Sequence, residues 1–193
     1  MFNKEEYVAM RQYYLSRDTV FLPDIDKGVA AQVISDLAHL AIKKPDSIAL
    51  VISSDGGITN DGFAISQFIE FSLNVPVHAE VIGACYSAAT YPLLCCKKRV
   101  GNELTTFVLH HQTSGITIKY DADFKKNARG WVKDNEEIHR RQVRFYSQKL
   151  GISKKDVRAM MLRGSAATNY KLSAKAALKL GLLTKINALS KVS

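Results

Sequence analysis

The run Ser47-Ile48-Ala49-Leu50-Val51-Ile52 most constrains what this chain can fold into. It is uninterrupted and β-favouring, rich in aliphatic and β-branched residues. A strand with one wet face would alternate apolar and polar residues. An unbroken apolar run instead marks a strand covered on both faces, as in parallel sheets built from βαβ units.

The flanking segments agree. Thr19-Val20-Phe21-Leu22 reads as a short strand closed by Pro23. Asp26 then caps a helix to about Lys44, with Ala30, Val33, Ile34, Leu37 and Ala41 at helical spacing, and Pro45 and Asp46 end it. After Ser53-Ser54-Asp55-Gly56-Gly57, a second helix is expected from about Asp61 to Leu73, with Phe63, Ile65, Phe68, Ile69 and Ser72 facing inward. Next come a strand over Val75 to Ile82, an apolar helix from Thr90 to about Lys98, and a strand over Thr105 to Leu109. Alternating strands and helices predict an α/β fold with a largely parallel sheet.

Beyond Gly115 the pattern changes. A charged helix with sparse apolar positions is expected from about Asp121 to Leu150. About thirty residues at 1.5 Å each make roughly 45 Å, more than a compact domain covers, so this helix is expected to project and meet another subunit. A helix over Lys154 to Leu162, the small-residue stretch from Gly164, a helix over Ala174 to Leu180 stopped by Gly181, and a strand over Leu182 to Ile186 complete the chain. The organisation expected is an N-terminal arm over residues 1–18 followed by a single domain over 19–193.

Composition narrows the class of function. With 47% hydrophobic and 23% charged residues, 193 residues suit a globular domain with a substantial core. No apolar run is long enough to span a bilayer and the N-terminus is too charged for a signal peptide, so a cytoplasmic protein without membrane contact is expected. The net charge of +9 raises nucleic acid. The basic residues are spread among acids without stacking aromatics, so a solvated basic surface is expected instead. Cys85, Cys95 and Cys96 match neither a disulfide framework nor a zinc site and read as buried thiols, and neither metal nor cofactor is expected.

Three features fall at strand ends, where α/β folds build their sites. Ser87, in Gly83-Ala84-Cys85-Tyr86-Ser87-Ala88-Ala89, lies at a strand-to-helix turn. It can cap the helix, or act as a nucleophile whose oxyanion meets the free N–H groups of a helix start. Gly56-Gly57 is a plain turn, or a backbone that lets a ligand approach its amides. His110 and His111 are structural, or one is a base with a pKa near 7 that activates a hydroxyl.

Together these pieces resemble the Clp protease proteolytic-subunit family, serine peptidases of the ClpP/crotonase fold. Ser54-Asp55-Gly56-Gly57 resembles the family's Ser-Pro-Gly-Gly turn, with aspartate for proline, and the following helix holds Gly62-Phe63-Ala64-Ile65. Gly83 to Ala89 resembles the nucleophile motif. Leu109-His110-His111-Gln112 resembles Met-Ile-His-Gln, which selects His111 as base and leaves His110 as the alternative. Leu172-Ser173-Ala174, Ala177 and Leu180-Gly181-Leu182 resemble the closing segment, and residues 121–150 resemble the handle helix.

The resemblance implies repeated ββα units with a projecting handle. It also implies peptide hydrolysis through an acyl-enzyme, with Ser87 as nucleophile and Gly57 and Ala88 as oxyanion donors. Gly56 and Ile58 would hold an extended peptide or unfolded protein. The family's third residue is aspartate, and its register here lands on Asn169, so a weakened or conditional Ser-His-Asn triad is expected. Implied partners are further copies in heptameric rings stacked as a tetradecamer, a paralogue, and a Clp-type ATPase, although Met1 to Arg17 does not match the family's apolar pore segment. Competing readings are a catalytically inactive ring subunit and a crotonase-type acyl-CoA enzyme.

Overall fold

The computed structural model describes residues 4–112, 123–164 and 171–189. The chain divides into two compact units, residues 1–108 with 171–193 and residues 109–170.

The first unit starts with α1 (Lys4–Leu15), β1 (Thr19–Leu22) and α2 (Lys27–Ile42). The Asp26 carboxylate caps α2 by accepting from Val29 N–H at 2.8 Å. Asp36, buried within α2, accepts from Arg11 of α1 through both Nε and Nη2, and from Gln32 at 3.0 Å. This ion pair fixes α1 to α2.

β2 (Ile48–Ser54) follows, with Ile48, Leu50, Val51 and Ile52 all buried. The expected two-sided burial is therefore found. α3 (Thr59–Gln67) begins earlier than expected and loosens into a π-helical turn over Phe68–Ser72. The wider turn rotates the apolar face, which leaves Ser72 exposed rather than inward.

β3 (Val77–Tyr86) starts and ends later than the expected Val75 to Ile82, and it changes partners along its length. One edge keeps β2 in parallel as far as Cys85, opposite Ser54, whereas on the other edge His78–Glu80 pairs with residues 98–100 and Ala84–Tyr86 with β5 (Thr106–Val108). At the changeover Gly83 has φ 72°, a conformation that glycine adopts without Cβ strain. The bend carries the strand on to Ser87.

α4 (Thr90–Cys95) stops short of the expected Lys98, and β4 (Lys98–Asn102) stands where the helix was extended. Lys98 and Arg99 disguise that strand in sequence, but pairing with β3 on one side and β7 (Lys185–Asn187) on the other fixes it. β7 is shorter and later than the strand expected over Leu182 to Ile186. The short β6 (Leu172–Ser173), not read from sequence, pairs antiparallel with β5. Among the described residues the other pairings are parallel, in the order β1-β2-β3-β4-β7 with β5 also on β3. α7 (Ala174–Leu180) ends at Gly181 with φ 87°, a left-handed stop.

The second unit holds α5 (Phe124–Leu150) and α6 (Lys154–Arg163). At 27 residues α5 is about 40 Å long. Gln142, Val143 and Tyr146 are its buried residues among those described. The expected helix start at Asp121 lies outside the described residues.

Candidate active site

Parallel pairing builds the first part of the site. β2 and β3 are neighbours in register, with Ser54 opposite Cys85, so the turns leaving their C-terminal ends lie side by side. One turn is Asp55-Gly56-Gly57, the other Ser87-Ala88-Ala89.

Ser87 opens a 3-10 turn with φ 50°, the left-handed region that residues with a Cβ occupy at a cost. It is not a helix cap. Tyr86 and Ala89 hold the N-cap positions of the 3-10 turn and α4, and neither start has a side-chain cap. Thr90 Oγ1 donates to the Ser87 carbonyl at 2.6 Å and pins the turn from below. A serine on a sharp, strained strand-to-helix turn is the geometry of a nucleophile elbow.

Glycines let neighbouring backbone close on this elbow. A Cβ at Gly56 would stand 2.7 Å from Ser87 Cβ and 2.8 Å from Tyr86 O. One at Gly62 of α3 would stand 2.8 Å from Ala88 O, while Ala88 and Ala89 are fully buried. Phe63 of α3 stacks on Tyr91 of α4 at 4.3 Å, which holds the two helices together beneath the turn.

The Gly56-Gly57 turn is pinned by groups the sequence reading missed. Asp24 Oδ1 accepts from Asp55 N–H at 2.6 Å, and Ser54 Oγ accepts from Gly56 N–H at 3.0 Å. A carboxylate just past Pro23, at the end of the strand beside β2, was the available signal. Gly57 forms a parallel bridge with Ile25: Ile25 N–H donates to Gly56 O at 2.6 Å and Ile58 N–H donates to Ile25 O at 2.9 Å. In a parallel bridge the amide and carbonyl of the central residue, here Gly57, point to the opposite side. Ala88 N–H lies in the first turn of the helix and lacks an intrahelical acceptor. Gly57 and Ile58 are exposed, so an extended chain can reach that edge.

Two ionisable groups are associated with the strand that leads into Ser87. Burial pushes the Cys85 thiol well up, so it stays protonated and inert. Lys171 lies 5.0 Å above the Tyr86 ring, and its pKa is raised by hydrogen bonding to Tyr86, by the charge of Tyr86 and by Asp55.

The second unit carries the imidazoles. The end of α6 closes tightly on this segment, where a Cβ at Gly164 would fall 2.0 Å from Leu109 O. His110 Nδ1 is buried without a hydrogen-bond partner among the described residues. His111 Nδ1 lies 3.1 Å from Nδ1 of His139 on α5, with ring centroids 4.6 Å apart. Next to it Gln112 Nε2 donates to Asn135 Oδ1 at 2.6 Å, and Asn135 Nδ2 donates to Trp131 O at 2.8 Å. These side chains line an open groove of about 620 Å³ with Val132 and Glu136.

Burial first, then the charges of His139 and His110, hold the His111 pKa below its ordinary value. His139 is lowered by burial and by Arg158 and Arg140. His139 was not anticipated, because a single imidazole on a charged helix carries no sequence signal of its own. Asn169 lies outside the described residues.

The sequence profile of the Clp protease family matches residues 3–189. Among curated proteins, the ATP-dependent Clp protease proteolytic subunit 3 of Rhizobium johnstonii is 28% identical over 177 residues, covering 90% of this chain and 84% of that one. Its counterpart from Rhizobium etli is 27% identical over the same share of each chain. Among solved structures, an asparagine-to-aspartate mutant of ClpP1 from Listeria monocytogenes superposes with a TM-score of 0.78 at 21% identity, covering 93% of this chain and 96% of that one.

Proposed function

Because this chain belongs to the Clp protease family, we propose that it hydrolyses peptide bonds through an acyl-enzyme formed on Ser87. The observation that carries this reading is the elbow. A serine with φ 50° sits where a strand meets a helix, packed against a glycine that tolerates no side chain.

In the proposed reaction Ser87 Oγ attacks the scissile carbonyl while His111 Nε2 takes the hydroxyl proton. The imidazolium then protonates the leaving amine, and water repeats the sequence on the ester. Gly57 and Ala88 amides receive the oxyanion, and each such donor contributes about 2.7–4 kcal/mol to the barrier reduction. Gly56 and Ile58 line the edge along which the peptide extends. His111 is preferred to His110 as base because it has an orienting partner at Nδ1, whereas His110 Nδ1 has none among the described residues.

Asn169, on which the family register falls, cannot supply the negative charge that stabilises an imidazolium. Exchanging aspartate for asparagine in a serine-protease triad lowers kcat about 10⁴-fold, so turnover is expected to be low. The proposed setting is a cytoplasmic ring of seven copies, stacked as a tetradecamer, with a paralogue or a Clp-type ATPase as further partners. No described helix is long and apolar enough to cross a membrane.

A second reading, an inactive ring subunit, is favoured by the engagement of His111 Nδ1 with another imidazole instead of a carboxylate. Turnover of a fluorogenic peptide by wild type, Ser87→Ala and Asn169→Asp separates the two. The peptidase reading expects no turnover from Ser87→Ala and a gain from Asn169→Asp. Equal rates for wild type and Ser87→Ala would leave the inactive subunit standing.

A further inference from the structure

The 3.1 Å approach of the two Nδ1 atoms admits one proton between them. Two bare lone pairs would repel, and so would two N–H groups. When the proton sits on His111, its Nε2 keeps a lone pair and can act as a base. When it sits on His139, neutral His111 must carry its own proton on Nε2 and cannot accept one from serine. The state of a single proton thus decides whether His111 is competent.

We propose that His139 is a positioning residue for the peptidase reaction: it accepts the Nδ1–H of His111 and thereby directs the Nε2 lone pair to its task. The inference rests on the reading of His111 as base. It gives His139 the acceptor role that the triad register assigns to Asn169. As Nε2 takes the serine proton, Nδ1–H stays bonded to the His139 lone pair, and the Nε2 proton leaves with the amine.

The surroundings of His139 suit an acceptor. Burial first, then Arg158 on α6 and Arg140 on its own helix, opposes its protonation, so its lone pair persists to lower pH. His110 and His139 are the charges that act on His111. Glu136 lines the same groove and is paired with Arg140 at 3.5 Å. Asn135, one turn before His139, is bonded to Gln112, which holds the segment next to His111 against α5.

Two substitutions separate acceptor from packing. Asparagine Oδ1 lies as many bonds from Cβ as histidine Nδ1, so His139→Asn keeps an acceptor and removes the titration, whereas His139→Leu keeps bulk alone. The experiment is peptide turnover by the assembled protein from pH 5 to 8, for both variants, wild type and Ser87→Ala. His139→Leu is expected to lower the plateau kcat about tenfold or more with KM little changed, and His139→Asn to restore most of it. On the acid side, log(kcat/KM) is expected to approach a slope of two in wild type, as both rings charge, and one in His139→Asn.

A His139→Leu variant as active as wild type overturns the proposal. A more active one does too, because it makes His139 the donor that idles the base. Ser87→Ala retaining turnover defeats the peptidase reading instead. Independently of turnover, deuterium exchange at the His111 ring carbon, in the Ser87→Ala background, reports its titration. Replacing His139 with leucine is expected to move that midpoint down, because the lost lone pair favoured the imidazolium, and an unmoved or raised midpoint overturns the acceptor role.

Discussion

A Cβ on Gly56 would lie 2.7 Å from the Cβ of Ser87, closer than two such carbons can stand. Residue 56 therefore acts as the mould for the serine turn, and its own φ of 106° is one that other residues rarely adopt. Gly56→Ala is expected to destabilise the protein by about 2–4 kcal/mol through overpacking and backbone strain. Thermal melts measure the first effect, and the loss of Ser87 reactivity follows from displacement of the turn.

The strain at Ser87 makes a separate prediction. Ser87→Ala keeps a Cβ at φ 50°, whereas Ser87→Gly relieves it. The glycine variant is expected to be more stable than the alanine variant by about 1 kcal/mol, the left-handed penalty less the chain-entropy cost of glycine. Equal melting temperatures would argue against a strained elbow.

Gly164 plays the equivalent part in the second unit. A Cβ there would fall 2.0 Å from Leu109 O, so Gly164→Ala must push α6 off the segment that leads into His110 and His111. The expected result is a loss of about 2 kcal/mol or more together with a fall in kcat. An alanine variant with wild-type stability would contradict the close approach.

The docking of α1 can be tested at Arg11. Asp36 is 4% exposed, and Arg11→Met removes a partner from a buried carboxylate. Because the Arg11 side chain is about one-third exposed, the full buried-pair cost is discounted to about 1–3 kcal/mol. Faster proteolysis within α1 is the expected signature, and Arg11→Lys rescues only in part because an ammonium cannot reproduce the guanidinium fork.

Acid should weaken the fold in a defined window. His111 and His139 both have pKa values held below the ordinary one, so the unfolded chain binds more protons than the folded one. Stability then rises with pH: their contribution is complete above about 6.5 and is lost as pH falls from there through the depressed folded values. Melting temperatures at pH 7.5 and 5.5 are expected to differ less in His139→Asn than in wild type. Identical differences would remove the pair from the account.

Much of this was legible in the chain, for physical reasons. The unbroken run at Ile48–Ile52 reads as a doubly covered strand, and Asp26 and Gly181 mark helix ends by their side-chain and backbone chemistry, whereas the Ser173 cap was not read. The β4 strand was hidden because Lys98 and Arg99 give it no apolar signature, and neighbouring strands supply what propensity does not. The inward face of α3 was misjudged at Ser72 because a π-helical turn breaks the 3.6-residue period that the reading assumed. Within the site, Gly56, Gly57 and Ser87 could be picked out as turn residues at strand ends. That Gly56 moulds Ser87 could not, since it depends on the parallel register of β2 and β3. Asp24 and His139 act across 31 and 28 residues of chain, and no local pattern announces either contact.

The most direct test of the account is covalent labelling of the assembled protein by a fluorophosphonate, read by intact mass and located by peptide mapping. The account predicts one adduct per chain, on Ser87, absent from Ser87→Ala and slowed in Gly56→Ala. An assembled protein that takes up no probe, or an adduct that persists in Ser87→Ala, would contradict the assignment of Ser87 as nucleophile.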